Sequence, residues 1–485
     1  MNDHPLLPHG GDAPTGGPWR IHHAREIVVL ASPIVLSMIS HTMMWTVDTI
    51  FLGRYSSLAL GAAGLGGVLT WAAYSLFNNL SRINGTFVAQ AHGKGDDEAV
   101  SHYTWQAIHL SIVTGLLLML LGHFSLPLLR LTGNPADVVD ATYTYVRWRT
   151  VSAVFTQIGF ALLGYFQGRR DVRTPMWIAI FANALNAVLD LWLIFGWEGI
   201  SVGGRRLLAV PEMGIAGASI ATSISVVVNT VLMAAVILAD RNQRRRYRIH
   251  VPRRPDLAAL RNMVRVGLPS TLEGFIDMCS FSLFTVLVGR AGAIQLAASQ
   301  ITVQLLSFSF MPMWGLTSAG AVLVGNWVGA GRPDVAARYG RQVYKLGLLY
   351  CLVLAVLFYL FRGGIFRIFT PDPAILVFGA GLALVASVFQ VGDGMRMVGS
   401  GLLTGAGDTR SVLLITAAVM WGVFLPLTWL LVVRGGGDVR VAWLGGAACY
   451  ALEAVLLYWR FRRGNWQRVN IFGYPSEDSA QPPVL

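Results

Sequence analysis

The chain has 485 residues, of which 54% are hydrophobic and only 13% are charged, and its mean hydropathy is +0.56. Soluble domains carry about 25% charged residues, so this composition excludes an ordinary soluble protein and indicates one that is solvated by lipid. The formal net charge is +12. The basic residues concentrate in short loops between apolar runs, where membrane orientation accounts for them. We therefore predict no nucleic-acid partner.

Residues 1–24 are rich in Pro and Gly and contain no apolar run that could serve as a signal peptide. We expect them to form a disordered cytoplasmic tail. After this tail, about twelve apolar segments are each long enough to cross a bilayer, which takes roughly 20 residues. The expected limits are 25–53, 57–90, 102–129, 138–168, 174–196, 213–239, 260–289, 295–328, 337–367, 373–405, 409–434 and 440–461. The predicted fold is an all-α integral membrane protein with about twelve transmembrane helices.

A basic linker at 241–258 separates the sixth span from the seventh. Positive loops remain in the cytoplasm, so this linker predicts that both termini are cytoplasmic, including a second tail at 464–485. The expected location is the cell (inner) membrane, crossed many times. The same charges would also suit anionic lipid head groups, although topology alone is a sufficient explanation for them.

The two halves on either side of the linker, 25–240 and 259–463, repeat each other. Polar, Gly and Pro positions of the first half recur at an offset of 236 in the second half. The pairs are Pro33 and Pro269, Gly53 and Gly289, Gly93 and Gly329, Gly95 and Gly331, Tyr103 and Tyr339, and Gln106 and Gln342. Such self-similarity indicates a duplicated six-helix unit, and the chain is predicted to contain two pseudo-symmetric six-helix halves. Parallel repeats of this kind are typical of transporters that alternate access to a central site.

Three polar residues of the first half lie in apolar spans. Asp48 is the one formally charged residue of the run 32–53, and Asn186 and Asp190 share a helix face in the fifth span. A charge at this depth costs roughly 3 kcal/mol or more, so it is expected to bind an ion, carry a proton or pair with a cation. Arg82 is a candidate counter-charge. A purely structural role between helices is the alternative.

The second half has its own intramembrane acids. Glu273 and Asp277 lie one turn apart, so they repel each other unless a proton or a cation neutralises them. Asp393 follows in the tenth span and is one turn from Arg396, which could neutralise it. We expect these acids to form a second acidic site or part of a substrate cavity, with Arg396 as a modulating charge. On this basis, loss of Asp393 should leave Arg396 unpaired.

These stretches resemble the multidrug and toxic compound extrusion (MATE) family of prokaryotic type. The resemblance rests on Pro33 with the VDTIFLGR stretch around Asp48, and on four further segments. They are GKGDDE at 93–98, NAVLDLWLIFG at 186–196, Pro269 followed by Asp277, and DGMRMVGSGLLTGAGDT at 393–409.

The resemblance implies an antiporter that exports organic, mostly cationic and amphipathic, compounds in exchange for protons or sodium. One branch of the family has its ion site at positions that match Asp48, Asn186 and Asp190. Another branch has a cation site at positions that match Asp277 and Asp393. The second branch often carries Gln where this chain has Arg396, so we expect coupling at the first-half site.

The coupling ion is expected to be a proton, with sodium bound by Asp48, Asn186 and Asp190 as the alternative. Sodium prefers about five or six oxygen ligands, whereas a proton needs a single carboxylate. We expect no other cofactor, small organic substrates, the lipid bilayer as surroundings and a monomeric transporter. A lipid-linked saccharide flippase of the same superfamily, an integral membrane enzyme and a passive channel are the alternatives. Among these, the enzyme lacks a catalytic motif and the flippase would need a basic cavity.

Overall fold

The computed structural model describes residues 19–197, 200–202, 205–207, 210–434 and 438–472. Nearly all of this part of the chain is helical, which confirms the predicted all-α membrane fold. The first helix begins at Trp19, six residues before the predicted limit. Residues 1–18 and 473–485, which cover most of the two predicted tails, lie outside the described residues, and the tails stay predictions.

Ten helices precede or fill the linker between the repeats. They are α1 (Trp19–Tyr55), α2 (Ser57–Arg82), α3 (Asn84–Lys94), α4 (Asp97–His123), α5 (Leu126–Arg130), α6 (Ala136–Val151), α7 (Ala153–Gly168), α8 (Arg173–Phe195), α9 (Gly214–Ala239) and α10 (Arg241–Tyr247). A short hairpin between α8 and α9 pairs β1 (Ile200–Val202) with β2 (Arg205–Leu207) in antiparallel register. The sequence did not predict this hairpin.

Seven helices form the second repeat. They are α11 (Leu257–Gly289), α12 (Ala293–Gly329), α13 (Pro333–Ile365), α14 (Pro373–Ala406), α15 (Thr409–Val419), α16 (Leu425–Trp429) and α17 (Val439–Arg463). Wider π-helical turns at Met420–Phe424 and Leu430–Arg434 flank α16, which contains Pro426. Pro lacks a backbone N–H, and wider turns are one way in which an apolar span accommodates it.

Eleven helical segments of the described chain are long and apolar enough to cross a membrane. The one predicted span that is missing from these eleven is the fourth, 138–168, which is divided into α6 and α7 by a break at Ser152. Each of the two pieces has only 16 residues, so neither is long enough to cross a membrane by itself. Together α6 and α7 cover 33 residues from Ala136 to Gly168, enough to span a bilayer.

The repeat predicted from sequence recurs in the helix boundaries. Pro33 lies inside α1 and Pro269 lies inside α11, and both helices continue through the Pro. Gly95 and Gly331 follow the ends of α3 and α12 with φ values of +76° and +70°. This left-handed conformation is the one that Gly adopts readily after a helix, so the same helix stop is used twice.

The chain forms two compact units. The N-terminal unit consists of Pro33–Val88 and Asp97–Leu272, and the C-terminal unit consists of the chain up to Ser32, Ala89–Asp96 and the chain from Glu273 onward. Three of the four divisions therefore fall inside α1, α3 and α11, and the fourth lies just before α4. Those in the two long helices α1 and α11 are near Pro33 and Pro269. The domain limits predicted from the repeat stay predictions.

Within the C-terminal unit, α3 and α12 approach each other through glycines. A Cβ atom at Gly93 would lie 1.8 Å from the carbonyl oxygen of Asn326, and one at Gly329 would lie 1.9 Å from that of Gln90. Gly93 and Gly329 are equivalent positions of the repeat. Backbones can pack this closely in a membrane only where side chains are small, so both glycines are required by packing.

Gly93→Ala should destabilise the protein, because the added methyl group would overlap the backbone of α12 and force the helices apart. We expect a loss of roughly 1–3 kcal/mol or more, measured as a lower thermal unfolding midpoint in detergent. Gly64→Ala on α2 is the matched control, since no atom lies within 4 Å of its Cβ position. Equal midpoints for the two variants would contradict the proposed packing role.

Candidate functional site

The N-terminal unit encloses a cavity of about 240 Å³. Helices α1, α2, α6, α7, α8 and α9 contribute its walls. Aromatic and sulfur-containing side chains form much of the apolar part of the wall. They are Met44, Trp45, Trp71, Tyr74, Tyr145, Phe160 and Met233.

Helical periodicity explains which side chains of α1 reach the cavity. Ser37, His41, Met44, Trp45 and Asp48 all line it, and they follow one another at spacings of three, four or one residue. Residues three or four positions apart share a helix face. Asp48 and His41 both lie on this face, so these two side chains, which are costly in lipid, are turned toward the cavity.

The predicted first-half residues meet at the wall of this cavity. The carboxyl group of Asp190 on α8 is hydrogen-bonded to that of Asp48 on α1. With its amide oriented to satisfy both ends, Asn186 donates to Asp48 Oδ1 at 3.0 Å and accepts from the backbone N–H of Thr222 at 3.3 Å. Asp190 and Asn186 are fully buried, whereas Asp48 is half-buried and lines the cavity.

Two carboxyl groups can hydrogen-bond to each other only when at least one of them carries a proton. Asp190 Oδ1 is also buried without a hydrogen-bond partner in the described part of the chain. A buried polar oxygen of this kind is a position where a water molecule, ion or proton completes the hydrogen bonding. The pair can therefore exchange a proton or a small cation with the cavity.

Arg149 on α6 is the cation that faces this pair. It lines the cavity, acts electrostatically on Asp48 and His41, and lies 5.6 Å from the ring centre of Tyr74. Arg82, which the sequence suggested for this role, instead lies 5.9 Å from the ring centre of Phe160. The signal for Arg149 was present in the sequence as an arginine inside a predicted span.

The break between α6 and α7 leaves backbone carbonyls without helical partners near the cavity. Side chains bind them instead. Ser223 of α9 donates to the carbonyl of Trp148 at 2.9 Å, and Ser152 donates to that of Arg149 at 3.2 Å. A broken helix is tolerated at membrane depth where protein groups satisfy its backbone in this way.

Neighbouring Met and Trp side chains of these helices differ in whether they line the cavity. Met44 and Trp45 contribute to it, whereas Met43 and Trp177 do not line it and are 63% and 64% exposed. The polar residue Asn183 also lines the cavity and donates to Ser40 at 2.7 Å.

The predicted second-half residues meet within the C-terminal unit around the buried side chain of Arg396. Its guanidinium lies 2.9 Å from Asp393, 3.3 Å from Asp277 and 3.8 Å from Glu453. It also lies 4.9 Å from the ring centre of Tyr450. One arginine therefore serves three carboxyl groups.

Glu453 on α17 was missed by the sequence analysis. It is fully buried and accepts a hydrogen bond from Thr416 at 2.6 Å. Its signal was that it is the one acid in the last predicted span, 440–461. Glu273, the fourth acid, accepts a hydrogen bond from Ser400 at 3.2 Å and interacts electrostatically with Asp277 and Arg396.

The expectation that loss of Asp393 would leave Arg396 unpaired is wrong. Asp277 and Glu453 would still lie within 4 Å of its guanidinium, because α11 and α17 bring two further carboxyl groups to α14. The sequence showed only the pair that lies one turn apart on the same helix.

Arg396→Gln should be the more damaging change in this cluster, because it removes the shared cation and leaves four acidic groups near one another. We expect a loss of roughly 3–5 kcal/mol, seen as a lower unfolding midpoint in detergent, and a smaller loss for Asp393→Asn. The difference in unfolding midpoint between the wild type and Arg396→Gln should shrink as the pH falls. Protons can then neutralise the acidic side chains of Glu273, Asp277, Asp393 and Glu453. A larger deficit for Asp393→Asn would contradict the shared-cation arrangement.

The chain is similar to known proteins over most of its length. The MatE family model matches residues 33–192 and 269–430, two segments that begin at Pro33 and Pro269, the pair related by the repeat. A probable multidrug resistance protein NorM from Thermotoga maritima is 28% identical over 449 residues, which are 92% of this chain and 93% of that protein. The multidrug resistance protein NorM of Burkholderia vietnamiensis is 29% identical, covering 90% and 94%.

A crystal structure of the Vibrio cholerae MATE transporter VcmN in the bent form shares the fold. It superposes with a TM-score of 0.80 at 18% sequence identity, covering 92% of this chain and 97% of that chain. The family model covers well over half of the chain in two repeated segments. The chain therefore belongs to the MatE family of multi-pass membrane transporters and not to a family of enzymes.

Proposed function

We propose that this protein is a secondary active antiporter that exports organic cations across the cell inner membrane in exchange for protons. One observation carries the proposal. The carboxyl groups of Asp48 and Asp190 are hydrogen-bonded to each other at the wall of an aromatic cavity, and Asp190 is fully buried behind Asp48. Such a pair can hold a proton when the cavity is empty of cations and can attract a cation after the proton has left.

The cavity wall supports the proposed substrate class. Trp45, Trp71 and Phe160 offer flat apolar surfaces, and aromatic faces also attract organic cations. Met44 and Met233 add flexible side chains that adapt to different shapes. The two relatives are named as multidrug resistance proteins, which agrees with a cavity that selects by charge and apolar character.

The mechanism follows from the charge balance of the pair. After the proton leaves, Asp48 and Asp190 carry two negative charges in close contact, and a cationic substrate relieves this repulsion. When a proton arrives from the outside, the carboxyl groups bond to each other again and the attraction for the substrate falls. Pro33 deprives α1 of one backbone hydrogen bond, so this helix can bend as the carboxyl groups change partners.

The small number of oxygen ligands supports a proton as the coupling ion. Asp48, Asn186 and Asp190 bring only three polar side chains together at the site. A sodium ion prefers about five or six oxygen ligands and would need more than these side chains supply. A proton needs a single carboxyl group.

The C-terminal cluster is assigned a structural or substrate-tuning role in this proposal. Arg396 is buried among its carboxyl groups and supplies the positive charge that a coupling ion would otherwise supply. The proposed transporter acts as a monomer, with both termini in the cytoplasm. A saccharide flippase is not favoured, because Arg149 is the one arginine among the lining residues of this cavity and the acidic Asp48 lines it as well.

Asp48→Asn and Asp190→Asn should each abolish proton-driven export, because an amide keeps the shape of the side chain but cannot release a proton. Export of a fluorescent organic cation from proteoliposomes with an imposed pH gradient measures the effect. Asp140→Asn is the matched control, since Asp140 is exposed on α6 of the same unit. Full export by both site variants would refute the proposal.

The coupling ion can be tested separately. With equal pH on both sides, a sodium gradient alone should give no uphill export, whereas a pH gradient in sodium-free buffer should drive it. A protonophore should stop the pH-driven transport. Uphill export that depends on sodium and resists the protonophore would overturn the proton assignment while leaving the antiport itself intact.

A further inference from the structure

An open basic pocket lies in the N-terminal unit, just after the end of the membrane span α9. Helix α10 and the segment that follows it form this pocket. The pocket measures about 710 Å³. It is lined by Arg241, Arg244, Arg245, Arg248, His250 and Val251. We propose that this arginine pocket binds the phosphate of an anionic phospholipid head group.

Among the described residues, the four pocket arginines form no close ion pair with a carboxylate, and Arg248 acts on Glu98 only through a weaker electrostatic interaction. Neighbouring arginines are paired: Arg246 contacts Asp97 at 2.9 Å and Arg253 contacts Glu98 at 2.7 Å. The hydrogen bond with Asp97 also raises the pKa of Arg246, so the positive charge of Arg246 is already balanced by a protein carboxylate.

In the part of the chain that the structure describes, no ion pair involves any of the four pocket arginines. The nearby carboxylate of Asp240 accepts from the backbone N–H groups of Asn242 and Gln243 at the start of α10. In addition, Arg244 Nε is buried and has no hydrogen-bond partner among the described residues. A buried guanidinium nitrogen of this kind indicates a missing acceptor, which a phosphate oxygen would supply.

The pocket is held in shape by the rest of the unit. Gln243 of α10 accepts hydrogen bonds from Tyr165 at 3.0 Å and Arg169 at 2.8 Å. Trp105 of α4 donates to the carbonyl of Ile249 at 3.0 Å. These bonds fix both α10 and the returning segment to the ends of α4 and α7.

Arg248 adopts a left-handed conformation with φ of 50° at the end of α10. This conformation is costly for a residue with a side chain, by about 1 kcal/mol or more. It turns the chain back so that His250 and Val251 lie beside the arginines. Membrane topology requires only positive charge in a loop, not convergence of arginines on one pocket at the expense of backbone strain.

The position of the arginine pocket favours a lipid phosphate over a soluble phosphate as its ligand. The span α9 ends at Ala239 and α10 begins at Arg241, so the pocket lies within the head-group layer, which extends roughly 5–7 Å beyond the hydrocarbon on each side. Val251 is 48% exposed at the pocket, an apolar group suited to the glycerol and upper acyl region.

Native mass spectrometry of the full chain in detergent micelles, titrated with phosphatidylglycerol or phosphatidylcholine, tests the proposal. Phosphatidylglycerol should bind the wild type more tightly than phosphatidylcholine does. Arg244→Gln with Arg248→Gln should weaken phosphatidylglycerol binding roughly tenfold or more. Arg462→Gln with Arg463→Gln, which removes two exposed arginines at the end of α17, is the matched control and should change binding little. Should the pocket double variant fail to fold, the single exposed change Arg245→Gln replaces it and should weaken binding in the same direction.

Three results would overturn the proposal. Equal losses for the pocket and control variants would mean that general surface charge binds the lipid. Equal binding of the two lipids by the wild type would remove the role of the anionic group. Displacement of phosphatidylglycerol by millimolar inorganic phosphate would show a site for soluble phosphate in place of a lipid site.

Discussion

The structure depends on one electrostatic constraint: a carboxylate placed at membrane depth must have a proton or a cation beside it. Two solutions to this constraint occur in the chain. Asp48 and Asp190 are hydrogen-bonded to each other next to a cavity, so their neutralising partner is exchangeable. The C-terminal carboxyl groups instead surround Arg396, a cation that is covalently part of the chain and cannot leave. The first arrangement suits exchange, and the second suits a fixed structure.

This contrast is notable because the two halves are repeats. Both repeats keep the same backbone features: a Pro within α1 and α11, and a Gly in the left-handed conformation after α3 and α12. They do not keep the same chemistry of the buried side chains. Helix ends and close helix contacts obey the same sterics in both halves, whereas ionisable side chains are free to differ wherever their charge is balanced. The repeat therefore supplies a common scaffold on which two different charge arrangements are built.

The arginine pocket shows a third way of treating charge in this chain. Arginines near the end of α9 lie where water and lipid phosphates are available, so they need no acid from the protein. Arg246 and Arg253 are paired with carboxylates and hold the linker to the start of α4. Arg241, Arg244, Arg245 and Arg248 instead line a common pocket. From the sequence, the charge of this linker indicates only membrane topology. In the structure the linker has a defined shape, because side chains of α4 and of the end of α7 hydrogen-bond to its backbone and to Gln243.

The sequence by itself determined the membrane class, the span count and the repeat, because hydropathy, helix length and fixed offsets are local properties of the chain. It also placed Asn186 and Asp190 on one face and Arg396 one turn from Asp393, since helical spacing alone decides such neighbours. Only the tertiary structure decided which distant groups meet. Arg149, and not Arg82, faces Asp48, and Glu453 of the last span meets Arg396. These partners lie 101 and 57 positions apart in the chain, and helix packing brings them together without any trace in local periodicity.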